Sequence, residues 1–125
     1  MATILIIEDE KDLAMLLKER FETAGFEAKV ALGYLDGLEQ ISQDKPDMIT
    51  LDLVLPDGAG ADILANIRKN TNTYKIPVVV VSSTELETKN KEVSIQGYLP
   101  KPVRFEKLLS MVKICLAQAA SGNKS

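Results

Sequence analysis

Glu8, Asp9, Asp52, Ser82 and Lys101 are reactive side chains that each stand at or just beyond the end of a short apolar run. A lone carboxylate or serine in such a place is ordinarily a turn former or a helix cap. Their recurrence at one strand end after another is what carries information. Clustered carboxylates repel and raise one another's pKa unless a cation sits among them. Glu8, Asp9 and Asp52 offer hard oxygen ligands, which with waters and a backbone carbonyl suit octahedral Mg²⁺ rather than zinc. A carboxylate beside Mg²⁺ can also act as a nucleophile and become an aspartyl-phosphate. The phosphoryl oxygens then need neutralising, and Mg²⁺, the Lys101 ammonium and the Ser82 hydroxyl can supply that.

These groups converge only if the apolar runs are parallel strands of one sheet. Five segments are rich in Val, Ile and Leu: Thr3 to Ile7, Phe26 to Ala31, Met48 to Leu53, Val78 to Val81 and Gly97 to Leu99. The first, third and fourth are nearly continuous, as strands buried on both faces are. The second and fifth alternate more and predict edge strands. Helix-period stretches lie between them. Leu13, Leu16, Leu17, Phe21 and Ala24 form one apolar face, stopped by Gly25; Leu35, Leu38 and Ile41 form a shorter one, closed by Lys45-Pro46. Ile63, Leu64 and Ile67 follow the turn Pro56-Asp57-Gly58. A charged stretch, Glu85 to Ser94, is weakly patterned, and Phe105, Leu108, Leu109, Val112, Cys115 and Leu116 make a strongly amphipathic last helix. Strand alternating with helix predicts an α/β fold, an open doubly wound parallel sheet with right-handed crossovers. Ligands of such sheets bind outside the carboxyl ends of the strands, where the reactive side chains stand.

The 125 residues predict one domain over 1–120, with a frayed tail at 121–125. Fifteen Lys and Arg against 18 Asp and Glu leave a net charge of −3, which argues against a nucleic-acid or anionic-membrane binder. With no histidine and one cysteine, Cys115, the chain has no Ser-His-Asp relay, no histidine metal site, no phosphohistidine and no disulfide. No leader precedes the first apolar run and no stretch approaches a membrane span, so a soluble cytoplasmic protein is expected.

The motifs Ile4-Leu5-Ile6-Ile7-Glu8-Asp9-Glu10, Asp52 through Gly60, Pro77 through Ser83 and Gly97-Tyr98-Leu99-Pro100-Lys101-Pro102 occur in that order. Together they resemble the receiver domain of two-component response regulators, in the manner of a single-domain chemotaxis regulator, over essentially the whole chain. The resemblance implies a flavodoxin-like fold, a five-stranded parallel sheet in order 2-1-3-4-5 with helices on both faces. It implies that Asp52 accepts a phosphoryl group from a sensor histidine kinase or a phosphotransfer protein. Glu8, Asp9, Asp52 and the backbone carbonyl of Val54 would hold Mg²⁺. Ser82 would be the switch hydroxyl, Lys101 the ion-pair partner of the phosphoryl group, and Tyr98 the aromatic that moves with Ser82. The Lys101-Pro102 bond would be cis. Output would pass to a downstream effector protein, without direct contact to nucleic acid, and the chain would catalyse only its own phosphorylation and dephosphorylation.

Departures from the family bear on the output. Glu8 stands where many relatives carry Asp. The 19-residue spacing from Ser82 to Lys101 is about one helical turn shorter than the resemblance leads one to expect, so the fourth helix (85–95) is expected to be short or reoriented. Ser83 replaces a smaller residue beside the phosphate. Val54 and Thr84 would flank the path of a hydrolytic water, and neither orients it, which predicts slow autodephosphorylation over tens of minutes or longer. Gly58-Ala59-Gly60 lacks the third glycine of a dinucleotide loop, Asn123-Lys124-Ser125 is a glycosylation pattern without a secretory context, and Cys115 sits on an apolar stripe. Two other readings compete. One is a phosphorylation-independent scaffold; the other is a Mg²⁺-dependent aspartyl phosphatase, which would need a second Asp at the position of Val54.

Overall fold

The computed structural model of the protein describes residues 1–83 and 95–121. In chain order the elements are β1 (Thr3–Ile7), α1 (Lys11–Thr23), β2 (Glu27–Ala31), α2 (Tyr34–Asp44), β3 (Met48–Leu51), β4 (Val54–Leu55), β5 (Gly58–Ala59), α3 (Gly60–Lys69), β6 (Val78–Ser82), β7 (Gly97–Pro100) and α4 (Phe105–Ser121). Five strands form one parallel sheet in the order β2-β1-β3-β6-β7, which is the expected 2-1-3-4-5 arrangement. β4 and β5 pair separately as an antiparallel hairpin.

The near-continuous apolar runs follow from burial on both faces. Side chains alternate along a strand, so Leu5, Ile7, Ile49, Leu51, Val78 and Val80 meet Ile63, Leu64 and Ile67 of α3 and Ile41 of α2. Ile4, Ile6, Met48, Val79 and Val81 point the other way, onto Leu17 and Phe21 of α1 and Leu108, Val112 and Cys115 of α4. Phe21 packs edge-on against Phe26 and Phe105, which locks α1 to α4. β2 and β7 are the edges, in agreement with their alternating sequences.

Four readings of the sequence need correction. β3 stops at Leu51, because the chain turns away at Asp52 towards the hairpin. The turn at Pro56-Asp57 is present, but it joins β4 to β5 and does not lead straight into α3: Gly58 belongs to β5 and Gly60 opens the helix. On α1, Leu16 is half exposed and Ala14 takes its expected place in the core, since the buried stripe is Ala14, Leu17 and Phe21. Leu35, at the first turn of α2, is 67% exposed because Tyr34, Leu38 and Ile41, at i, i+4 and i+7, make the face that packs on the core, and Leu35 lies off it. The expected fourth helix (85–95) lies, except for Ile95, outside the described residues, as do Thr84 and positions 122–125 of the tail.

Candidate functional site

The parallel ladder continues for one residue past three strands, and this aims the reactive side chains. The amide of Glu8 donates to the carbonyl of Ala31 (3.0 Å), that of Asp52 to Ile7 (3.0 Å), and that of Lys101 to Ser82 (3.1 Å). Each residue is therefore held by a strand beside its own. Gly60 permits the chain to fold back here, because a Cβ at that position would collide with the carbonyl oxygen of Asp52. The Lys101-Pro102 peptide bond is cis, as the resemblance implied.

Lys101 is the centre of the cluster. Its Nζ lies 2.9 Å from Oε1 of Glu8, 3.1 Å from Oδ2 of Asp52 and 3.5 Å from Oε1 of Glu10. Glu8 and Asp52 are buried, while Asp9 is exposed. Burial works against the Lys101 charge, but hydrogen bonds and charges from Glu8 and Asp52 outweigh it and hold its pKa above the ordinary lysine value. Burial raises the pKa of Glu8, opposed by the Lys101 hydrogen bond and by the amide of Glu10 on Oε2 (3.0 Å). The other oxygen of Asp52, Oδ1, accepts from the amide of Val54 at 3.1 Å. These residues open onto a cavity of about 580 Å³, lined by Asp9, Glu10, Leu13, Asp52, Val54, Ser83, Lys101, Pro102 and Val103.

Of the expected site residues, the structure thus gathers Glu8, Asp9, Asp52, Val54 and Lys101. One carboxylate oxygen from each of Glu8, Asp9 and Asp52 falls within 4.8 Å of the others. Three formal negative charges against one ammonium leave two unbalanced, and every donor is a hard oxygen. That set fits a divalent cation such as Mg²⁺ and does not suit a zinc site. The ammonium already drawn between Glu8 and Asp52 shows that the pocket favours positive charge.

Ser82 and Tyr98 form a second pair beside this cluster. Ser82 is fully buried, and its backbone carbonyl accepts from the Tyr98 hydroxyl at 3.4 Å. Tyr98 is partly buried and packs on the α2–α3 face of the core. The exposed serine that lines the cavity is Ser83. Sequence reasoning gave no role to Glu10, whose contact with Lys101 spans 91 residues and has no local signature.

A family model described as response regulator receiver domain matches residues 4–113. The chain is 32% identical over 120 residues to protein PilH of Pseudomonas aeruginosa, covering 94% of this chain and 99% of that protein. It is 30% identical over 123 residues to response regulator ArlR of Staphylococcus saprophyticus, covering 98% of this chain and 56% of the relative. The chain therefore spans about half of some matched relatives and nearly all of others. In fold it is similar to a CheY-like response regulator receiver domain protein from Methanospirillum hungatei, with a TM-score of 0.89 at 23% identity and 98% of each chain covered.

Proposed function

The chain belongs to the response regulator receiver domain family of two-component systems, and from that premise we propose that it is a signalling switch phosphorylated on Asp52. The observation that carries this reading is the Lys101 ammonium, which lines the cavity and pairs with both Glu8 and Asp52. A phosphoacceptor needs a carboxylate oxygen reachable from solvent, with positive charge fixed where the phosphoryl oxygens arrive. Asp52 faces the cavity and touches that ammonium.

Phosphoryl transfer makes an O–P bond at an Asp52 carboxylate oxygen and breaks the N–P bond of a phosphohistidine, whose imidazole leaves with the electron pair. The donor is a sensor histidine kinase or a phosphotransfer protein, since this chain has no histidine of its own. Lys101 exchanges its contact with Asp52 for the phosphoryl oxygens. Glu8, Asp9, Asp52 and the Val54 carbonyl are the residues that would hold Mg²⁺, which when bound neutralises phosphoryl charge. Ser82 and Tyr98 carry the switch: a group of nearly two negative charges on Asp52 draws the Ser82 hydroxyl, and Tyr98, hydrogen-bonded to the same residue, moves with it. The population shift is read by a downstream effector protein, with no direct contact to nucleic acid. No helix among the described residues is long and apolar enough to cross a membrane. A histidine-kinase donor implies a cytoplasmic setting, and the chain's only catalysis is the gain and loss of its own phosphoryl group.

Incubation with acetyl phosphate and Mg²⁺, followed by intact mass and peptide mapping, tests the proposal. One phosphoryl group at Asp52, absent from Asp52→Asn, is the expected result. No incorporation with acetyl phosphate and no response to beryllofluoride would favour a phosphorylation-independent scaffold. The label should persist for tens of minutes or longer, because the Val54 side chain at the cavity wall offers nothing to orient a water. Loss within seconds without a phosphatase would contradict that.

A further inference from the structure

The hairpin that follows Asp52 is tied to a helix that lies far from it in sequence. Asp57, in the two-residue loop between β4 and β5, accepts a hydrogen bond from the amide of Tyr34 on Oδ1 (2.6 Å) and one from Leu35 on Oδ2 (3.2 Å). These are the first two amides of α2, and the N-cap of that helix, Gly33, has no side chain to satisfy them. First-turn amides lack a partner within the helix and are usually capped by the residue just before it. Here the cap comes from 23 residues away.

Two glycines make room for this contact. A Cβ at Gly33 would stand 2.8 Å from Oδ1 of Asp57, and one at Gly58 would stand 2.6 Å from the ring of Tyr34. The other end of the hairpin is built into the candidate site. Val54 pairs with Ala59 across the hairpin, its amide donates to Oδ1 of Asp52, and the amide of Gly60 returns to the carbonyl of Leu53 at 2.9 Å. A short hydrogen-bonded span therefore connects the end of α2 to the Asp52 carboxylate.

We propose that Asp57 is a positioning residue for the acceptor. By capping α2 it fixes the β4–β5 hairpin, and through the hairpin the Val54 backbone and the Asp52 carboxylate, where cation binding and phosphoryl transfer need them. This rests on the reading of Asp52 as a phosphoacceptor. Asp57 acts through Val54 and does not itself touch the phosphoryl group. It lies within the motif Asp52 through Gly60, but its role is not visible there, because its partners at positions 34 and 35 lie in another element.

Three variants separate positioning from simple helix capping. Asp57→Ala removes both acceptor oxygens, Asp57→Asn keeps one, and Gly33→Ala pushes a methyl against the carboxylate while leaving it in place. For each, the Mg²⁺ dissociation constant is read from the shifts of the Val54 and Asp52 amides by NMR. Hydrogen exchange of the Val54 amide and the rate of labelling by acetyl phosphate are measured at a temperature where the proteins are folded by circular dichroism. Asp57→Ala should weaken Mg²⁺ binding about tenfold and slow labelling at subsaturating Mg²⁺ by a similar factor, the modest end for a supporting residue. Gly33→Ala should shift both in the same direction, Asp57→Asn should recover much of the loss, and saturating Mg²⁺ should narrow the gap in labelling. A folded Asp57→Ala with wild-type Mg²⁺ affinity, Val54 exchange and labelling would overturn the proposal, even if it melted earlier. If Asp57→Ala does not fold, wild-type behaviour of both other variants overturns it in the same way. Failure of the wild-type protein to be labelled would count against the phosphoacceptor reading alone, since the Mg²⁺ constants and Val54 exchange still decide the role of Asp57.

Discussion

The two ends of the sheet each hold a cation among oxygen atoms, and they hold it in opposite ways. At the carboxyl end, Lys101 meets the carboxylates of Glu8, Asp52 and Glu10. At the amino end, Arg68 of α3 donates to the carbonyls of Tyr74 (2.9 Å) and Ile76 (2.7 Å) and to Oε1 of Gln96 (3.0 Å). That same Gln96 oxygen accepts from the amide of Val78 at 2.7 Å, so the guanidinium clasps the starts of β6 and β7 to the end of α3. The acceptors named at Arg68 are neutral dipoles, and burial lowers its pKa. Those at Lys101 are anions, and its pKa rises despite burial. The clasp at Arg68 ties its guanidinium to fixed backbone carbonyls and to Gln96. The Lys101 cluster gathers more carboxylates than ammonium groups, and under the proposed function it would trade its ammonium contacts for another cation or a phosphoryl group. A parallel sheet is thus tied at one end through neutral acceptors and at the other through carboxylates.

The contrast can be broken at its largest effect first. Lys101→Met leaves Glu8 and Asp52 buried side by side, which should cost about 3 kcal/mol in urea unfolding without divalent cations. Millimolar Mg²⁺ should return much of that loss, because the carboxylates then regain a counter-charge. Arg68→Met removes a charged donor from one exposed and one part-buried carbonyl and should cost about 2 kcal/mol, with no recovery in Mg²⁺. Equal rescue of both variants would erase the distinction between the two ends. Asp52→Asn sharpens it. With one of the clustered carboxylates neutralised and Lys101 still on Glu8, stability should stay within about 1 kcal/mol of wild type while labelling disappears. An unfolded Asp52→Asn protein would make Asp52 a structural residue.

The smallest expected effect is at Asp57, which resembles Arg68 with the sign reversed: an ion held by neutral backbone groups, though fully exposed. Hydrogen bonds from the amides of Tyr34 and then Leu35 lower its pKa below the ordinary value of 3.8. A carboxylate with a depressed folded pKa contributes stability above its unfolded pKa and loses it as pH falls through the folded value. Asp57→Asn should therefore be slightly less stable than wild type near neutrality, and the gap should close as pH falls below about 4, where the wild type loses the contribution of the charge. Thermal melts of the two proteins between pH 2 and 7 check this, and parallel curves throughout would show that the charge of Asp57 is not coupled to α2.

How much of this was legible before the fold is known can be judged residue by residue. The three central strands are visible as apolar runs because burial on two faces removes the polar alternation, as Ile4 to Ile7 show directly, while the edge strands β2 and β7 keep more of it. Asp52 and Lys101 stand out because their strand-end positions are local facts. Leu16 and Leu35 misled because more than one face fits a helical period, and packing against the core decides which one is covered. The β4–β5 hairpin escaped notice because two-residue strands leave no period to detect.

The sequence by itself determined the α/β alternation, the candidate residues at the strand ends and the resemblance to receiver domains, since each is written in residues near one another along the chain. Only the tertiary structure decided which of these residues meet. Lys101 reaches Glu8 across 93 positions and Asp52 across 49, and Asp57 caps a helix that begins 23 residues earlier. The physical reason is that periodicity and turn chemistry are local properties of the chain, while the partner of a charge is set by the crossovers that lay distant strands side by side. The charge of the acceptors around each cation follows from that placement, and so does the difference between the two ends of the sheet.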